Sequence, residues 1–169
     1  MRFILHKWYL IIFTMFISIA LNNIYAKDNK SGYLFVLSAT HGSLTYKFTS
    51  LSYQLTLENV DDWVTYFSVV PKYEGGFIST EKFTNIITHE IATHYPKGIN
   101  AGLAMFKNGK KTATHYAFSL KNPHYDSKTH TMTYSVAIMS GVKPFTTIYF
   151  KKASLFVDDM SNAAGGAGF

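Results

Sequence analysis

Imidazole and carboxylate groups are what a zinc or copper ion takes from a protein. His115, His124, Asp126 and His130 place four such donors in one short stretch of this chain. His124-x-Asp126 and His130 lie in or beside one polar loop, and His115 sits on a neighbouring strand. Their chemistry would be metal binding or metal-dependent hydrolysis; apart from such a metal ion, no cofactor is expected. A second motif, His89-Glu90-Ile91-Ala92-Thr93-His94, resembles the zinc-protease pattern but has one residue too many. That pattern needs histidines at i and i+4 on one helix face. Five steps of about 100° leave these rings about 140° apart around a helix, pointing away from each other.

Other reactions lack their residues. No Gly-x-Ser-x-Gly elbow is present to hold a nucleophilic serine, and no glycine loop to hold a phosphate. Asp61-Asp62 and Asp158-Asp159 are adjacent pairs whose side chains diverge in a strand, unlike the facing carboxylates of a glycosidase. The chain has no cysteine, which removes disulfides, thiolate metal sites and cysteine nucleophiles. Catalysis is therefore not the leading expectation. Binding is. Tyr73, Tyr95 and Tyr125 fall in segments that read as loops, and exposed tyrosines give protein or sugar contacts at low entropic cost.

The elements that position these residues read mostly as strands. Residues 33–37 form an apolar run, and His41-Gly42 reads as a turn. Leu44, Tyr46 and Phe48, then Tyr53, Leu55 and Leu57, alternate with polar neighbours at the period of a half-buried strand. Residues 63–70 continue in β-type residues up to Pro71, and 73–76 reads as a loop. The spacing predicts one helix over 79–94. Ser79 or Thr80 caps it, Glu81 lies in its first turn, and Phe83, Ile86, Ile87 and Ile91 form one apolar stripe. Pro96 and Gly98 end it. Asn108-Gly109 predicts a hairpin joining 103–106 to 112–120. Asn122-Pro123 reads as the start of a loop, and 132–138, 145–150 and 154–157 as the last strands. About eight antiparallel strands with one inserted helix predict a mainly β, sandwich-like fold.

The N-terminal 26 residues read as an export signal. Arg2, His6 and Lys7 precede an apolar run over 8–21, and Ala26 closes a short polar end. The run, about 14 residues, is short of the roughly 20 a membrane-spanning helix needs. The expected organisation is a signal peptide over 1–26, one β-rich domain over 27–160 and a glycine-rich tail over 161–169. The signal carries two of the 16 Lys+Arg and none of the 10 Asp+Glu, so the remainder has a net charge of +4. Those charges are scattered, which excludes a nucleic-acid signature. Export without cysteine points to a bacterial, disulfide-free, non-lipidated product. A small outer-membrane barrel is the alternative, because length, aromatics and Phe169 at the end suit one.

One resemblance adds to this. Leu55-Thr56-Leu57 and Tyr66-Phe67-Ser68, followed by Gly75-Gly76 and by Ser79-Thr80-Glu81-Lys82-Phe83, resemble an uncharacterised family of small exported bacterial proteins. The likeness continues at Asn100-Ala101, Leu120-Lys121-Asn122-Pro123 and Ser154-Leu155-Phe156-Val157-Asp158. The Asp-Arg-Pro that follows Phe-Ser in that family is replaced by Val69-Val70-Pro71. The resemblance implies export and a single fold unit. The expectation is thus a periplasmic or extracellular binding module for a protein or glycan, with no stable membrane insertion once the signal is removed.

Overall fold

The computed structural model describes residues 32–68, 73–107 and 109–158. The segments that read as an export signal and a glycine-rich tail, together with Val69-Val70-Pro71, Asn108 and Asp159, lie outside the described residues. Eight strands and one helix follow in the order β1 (Tyr33–Lys47), β2 (Ser52–Val60), β3 (Trp63–Ser68), β4 (Glu74–Ser79), α1 (Thr80–Thr93), β5 (Ile99–Lys107), β6 (Thr114–Asp126), β7 (Thr131–Ser140) and β8 (Ile148–Val157).

All the strand pairings are antiparallel. The sheet runs β2-β7-β6-β5-β8-β1, and β1 pairs with β2 as well. The sandwich expectation is therefore corrected: β1, β2, β7, β6, β5 and β8 close into a six-stranded barrel. Period-two alternation is the same for a sandwich and a barrel, since both bury one face of each strand. What differs is whether the outer strands find each other. Here the length of β1 decides it. One edge of β1 holds β8 from Phe35 to Leu44. The other edge holds β3 along 33–36 and β2 along 39–47.

The barrel also needs a bend. Tyr33, Phe35, Leu37 and Ala39 point inward, then Gly42 and Leu44, so the inward parity shifts across Thr40-His41. The same shift occurs at Glu58-Asn59 in β2 and at Lys151-Lys152 in β8. These sites are level, because His41 pairs with both Glu58 and Lys151. Asn59 and Lys152 adopt positive φ, 48° and 52°. Three neighbouring strands thus fold over along one line. His41-Gly42 is this bend inside a strand and not the turn its residues suggest. Asn122, at φ 49°, marks a register shift in β6, which continues to Asp126 where the sequence reads as a loop.

α1 closes the end of the barrel at which β1 begins, called the lower end below. Ser79 caps it by accepting a hydrogen bond from the Lys82 amide at 3.2 Å, as its residue type predicts. The Thr80 amide and hydroxyl donate to the carbonyl oxygens of Asp62 and Asp61, at 2.9 and 2.6 Å. Phe83 and Ile87 are fully buried, with the Phe83 ring 5.4 Å from that of Phe35. At the upper end the connection over 141–147 joins β7 to β8, which stand on opposite sides of the barrel.

The interior is filled by side chains such as Leu37, Leu55, Leu103, Phe118, Tyr134 and Leu155. Tyr134 is 1% exposed, and its hydroxyl has no hydrogen-bond partner among the described residues. A buried polar group without a partner costs about 1–3 kcal/mol. Tyr134→Phe is therefore expected to hold or raise stability, by up to about 1 kcal/mol in urea unfolding near neutral pH. It also bears on alkaline stability. Burial holds the Tyr134 phenol far above its ordinary range. Above about pH 10 the unfolded chain releases a proton that the folded chain keeps, so stability falls as pH rises. The variant should lose less stability than the parent between pH 9 and 11. Equal losses would show that Tyr134 does not titrate on unfolding.

Candidate binding surface

The four metal-donor candidates do not come together. His115 begins β6 at the upper end, opposite Ala104, while His124 lies at its lower end opposite Thr133. Nine strand residues separate them by roughly 30 Å. Asp126 is committed to its own turn. One carboxylate oxygen accepts from the Lys128 amide and the other from the Thr129 hydroxyl, each at 2.9 Å. The Lys128 amide is the main reason its carboxyl sits below the usual range. His130 takes φ 47° and places Nδ1 3.0 Å from the Asp62 carboxylate and 3.4 Å from the Tyr125 hydroxyl. Its carbonyl accepts from the Val60 amide at 2.9 Å. These contacts tie the β6–β7 turn to the corner between β2 and β3. Among the described residues no group of three or more His, Asp or Glu side chains is placed to hold a metal ion. His89 and His94 are exposed on α1, and the His94 amide caps the helix by donating to the Glu90 carbonyl.

The three tyrosines also separate. Tyr95 and Tyr125 are half-buried against the core. Burial first, then the carboxylates of Asp62, Glu81 and Asp126, raises the Tyr125 phenol above its ordinary range. Of the three, Tyr73 alone is strongly exposed, at 83%, immediately before β4.

Tyr73 adjoins the surface that sequence reasoning missed. β3 and β4 form a two-stranded flap joined to the barrel through β1. Its inner face, Val64, Tyr66 and Ile78, packs on the core. Its outer face carries Trp63, Phe67 and Phe77. Trp63 pairs with Ser79, Thr65 with Phe77 and Phe67 with Gly75, so the three aromatics alternate between the strands along one face. Trp63 is 61% and Phe77 69% exposed, and the two line an open hollow of about 410 Å³. The Phe67 ring lies over Gly75, whose missing Cβ would be 3.5 Å from it. β4 is the last strand of the sheet order, with no described strand on its outer edge.

Two signals in the chain mark this flap. Trp63, Val64, Tyr66 and Phe67 put apolar or aromatic residues on both alternating faces of β3, more than a strand with one buried face requires. Phe77 and Ile78 are consecutive, one inward and one outward. Gly75-Gly76 reads as a loop by composition, yet both residues lie in β4. Gly76 leaves room for the Tyr66 ring, whose hydroxyl would lie 2.9 Å from an added Cβ.

Comparison with known protein families, curated proteins and solved structures finds no match to this chain.

Proposed function

We propose that this chain is an exported, non-catalytic binding protein that takes an extended segment of a partner protein along the β4 edge. The observation that carries this reading is the pairing of a terminal strand with an aromatic outer face. A sheet edge offers backbone hydrogen bonds to an added strand, and side-chain pockets beside it confer selectivity. Trp63 and Phe77 are the residue types that dominate binding energy at interfaces. Soluble proteins seldom leave a contiguous apolar patch uncovered unless something docks there. Natural edges are usually protected by charged residues, proline or a bulge, and β4, Glu-Gly-Gly-Phe-Ile-Ser, has only Glu74 of these, at its start.

The competing readings have less support. The lower-rim histidine and aspartates already serve the β6–β7 turn. A membrane-spanning barrel has eight or more strands and an apolar outward band. This barrel has six, and its outward positions include Ser43, Thr45, Gln54, Thr56, Thr133 and Ser135.

Selection from a random peptide library tests the proposal. The parent protein is expected to enrich extended, β-branched or aromatic peptides. Trp63→Ser with Phe77→Ser should lower their affinity at least tenfold, roughly 1.4 kcal/mol. Adding a selected peptide should slow amide exchange across 74–79. Equal enrichment by parent and double variant would overturn the reading. So would binding to glycans alone, which would assign the aromatic face to sugar stacking.

A further inference from the structure

We propose that the upper end of the barrel docks onto the surface of an anionic lipid bilayer. This inference is independent of the flap, which lies towards the other end.

The argument starts from charge. The upper halves of the strands and their connections comprise residues 44–57, 104–118 and 136–151. Among the described residues, these segments hold Lys47, Lys107, Lys110, Lys111 and Lys143 above the bend with no aspartate or glutamate, while Lys151 stands level with Glu58 at the bend itself. The acids gather elsewhere. Asp61, Asp62, Glu81 and Asp126 surround the lower rim and Asp158 follows the lower end of β8, where Lys82, Lys97, Lys121 and Lys128 offset most of their charge. A modest net charge is thus separated along the barrel axis. Such a field turns the upper end towards a negative surface and acts within a Debye length of about 8 Å at physiological salt.

The second observation is apolar. Phe48 and Leu51, in the β1–β2 connection, and Val142 and Phe145, in the β7–β8 connection, are strongly exposed. They stand at the same end as the lysines because both connections close antiparallel strand pairs or cross the upper mouth. Their positions are braced. The Tyr46 ring lies 4.8 Å from Phe48 and 6.1 Å from Phe145, edge to face in both cases. Leu51 is held at φ 49°.

A bilayer fits this combination better than an acidic protein or nucleic acid. Lysines among apolar loop tips match a surface with phosphates outside and acyl chains just beneath. A soluble polyanion would use the lysines and gain nothing from Phe48, Leu51, Val142 and Phe145. The contact is peripheral, and no helix among the described residues is long and apolar enough to cross a membrane.

Vesicle co-sedimentation of the exported protein tests this. The probes are phosphatidylcholine vesicles with and without phosphatidylglycerol. Binding is expected only with the anionic lipid, weakening steeply as salt is added. Lys110→Glu with Lys111→Glu and Lys143→Glu should reduce binding by about tenfold or more. Phe48→Ser with Phe145→Ser should reduce it comparably at constant charge. Trp63→Ser with Phe77→Ser should leave it unchanged, and each variant's melting curve shows that it is folded. The proposal is overturned by absence of binding to anionic vesicles or by equal binding to neutral ones. It is equally overturned if the Phe48 and Phe145 variant keeps full affinity, which would leave a basic patch for soluble anions.

Discussion

Phe83→Ala is expected to destabilise the protein by about 3–5 kcal/mol and to lower its melting temperature by roughly 10–15 °C. The side chain is fully buried and its ring meets that of Phe35, which lies between β3 and β8 on the inner face of β1. Truncation removes the transfer energy of the ring and leaves a cavity between helix and barrel. That cavity is hard to close. α1 is fastened at its start by the Thr80 bonds to Asp61 and Asp62, and the Thr84 hydroxyl, which donates to the Thr80 carbonyl at 2.7 Å, lies 3.9 Å from the Met132 sulfur. The helix therefore cannot slide inward to fill the space. Urea unfolding followed by far-ultraviolet circular dichroism gives the loss directly. A loss below about 1 kcal/mol would mean that α1 does not seal the lower end of the core.

Gly42→Val is expected to cost about 3 kcal/mol or more, for the opposite reason of overpacking. A Cβ at this position would collide with the backbone carbonyl oxygen of Thr56 and would lie 2.6 Å from two ring carbons of Phe150. Neither neighbour yields readily. Thr56 lies in β2 between β1 and β7, and Phe150 is 2% exposed. Gly42 pairs with both Leu57 and Phe150 just after the bend in β1. The missing side chain is the space that Phe150 fills. Phe150→Leu should therefore recover part of the loss caused by Gly42→Ala, a non-additivity expected of touching residues. Strictly additive losses in the double variant would show that the two positions are not in contact.

Both effects rest on residues whose roles differ in legibility. Phe83 was readable because its stripe with Ile86, Ile87 and Ile91 follows the helical period, and Ser79 supplies the expected cap. Glu90, on the same buried side, was not readable, since a charged residue near a helix end ordinarily faces water. Gly42 was misread. A glycine after histidine suggests a turn, but here the adjacent strands approach too closely for a side chain. Gly75-Gly76 is a strand and not a loop for a related reason, because the Tyr66 and Phe67 rings occupy the space of absent side chains. The hairpin between β5 and β6 was legible, and Ala101 meets Phe118 in the pairing that Asn108-Gly109 predicted.

The candidate sites show the same division. Tyr73, Tyr95 and Tyr125 look alike in sequence, yet two pack against the core and one stands clear. His115 and His124 are near in the chain and distant in space, because an extended strand moves about 3.3 Å per residue. Trp63 and Phe77 are distant in the chain and adjacent in space, because a short hairpin brings them back together.

By itself, the sequence determined the local choices: alternating strands, one capped helix, a cysteine-free chain and a modest excess of lysine. These depend on neighbours within a few residues, where side-chain period and backbone preference act. Only the tertiary structure decided that the sheet closes, that three strands bend along one line, that the flap exposes its aromatics and that one end of the barrel carries lysines without acids. Those outcomes depend on register between strands far apart in the chain. Alternation says which residues share a face, but the pairing of β1 with both β2 and β8 settles what each face meets.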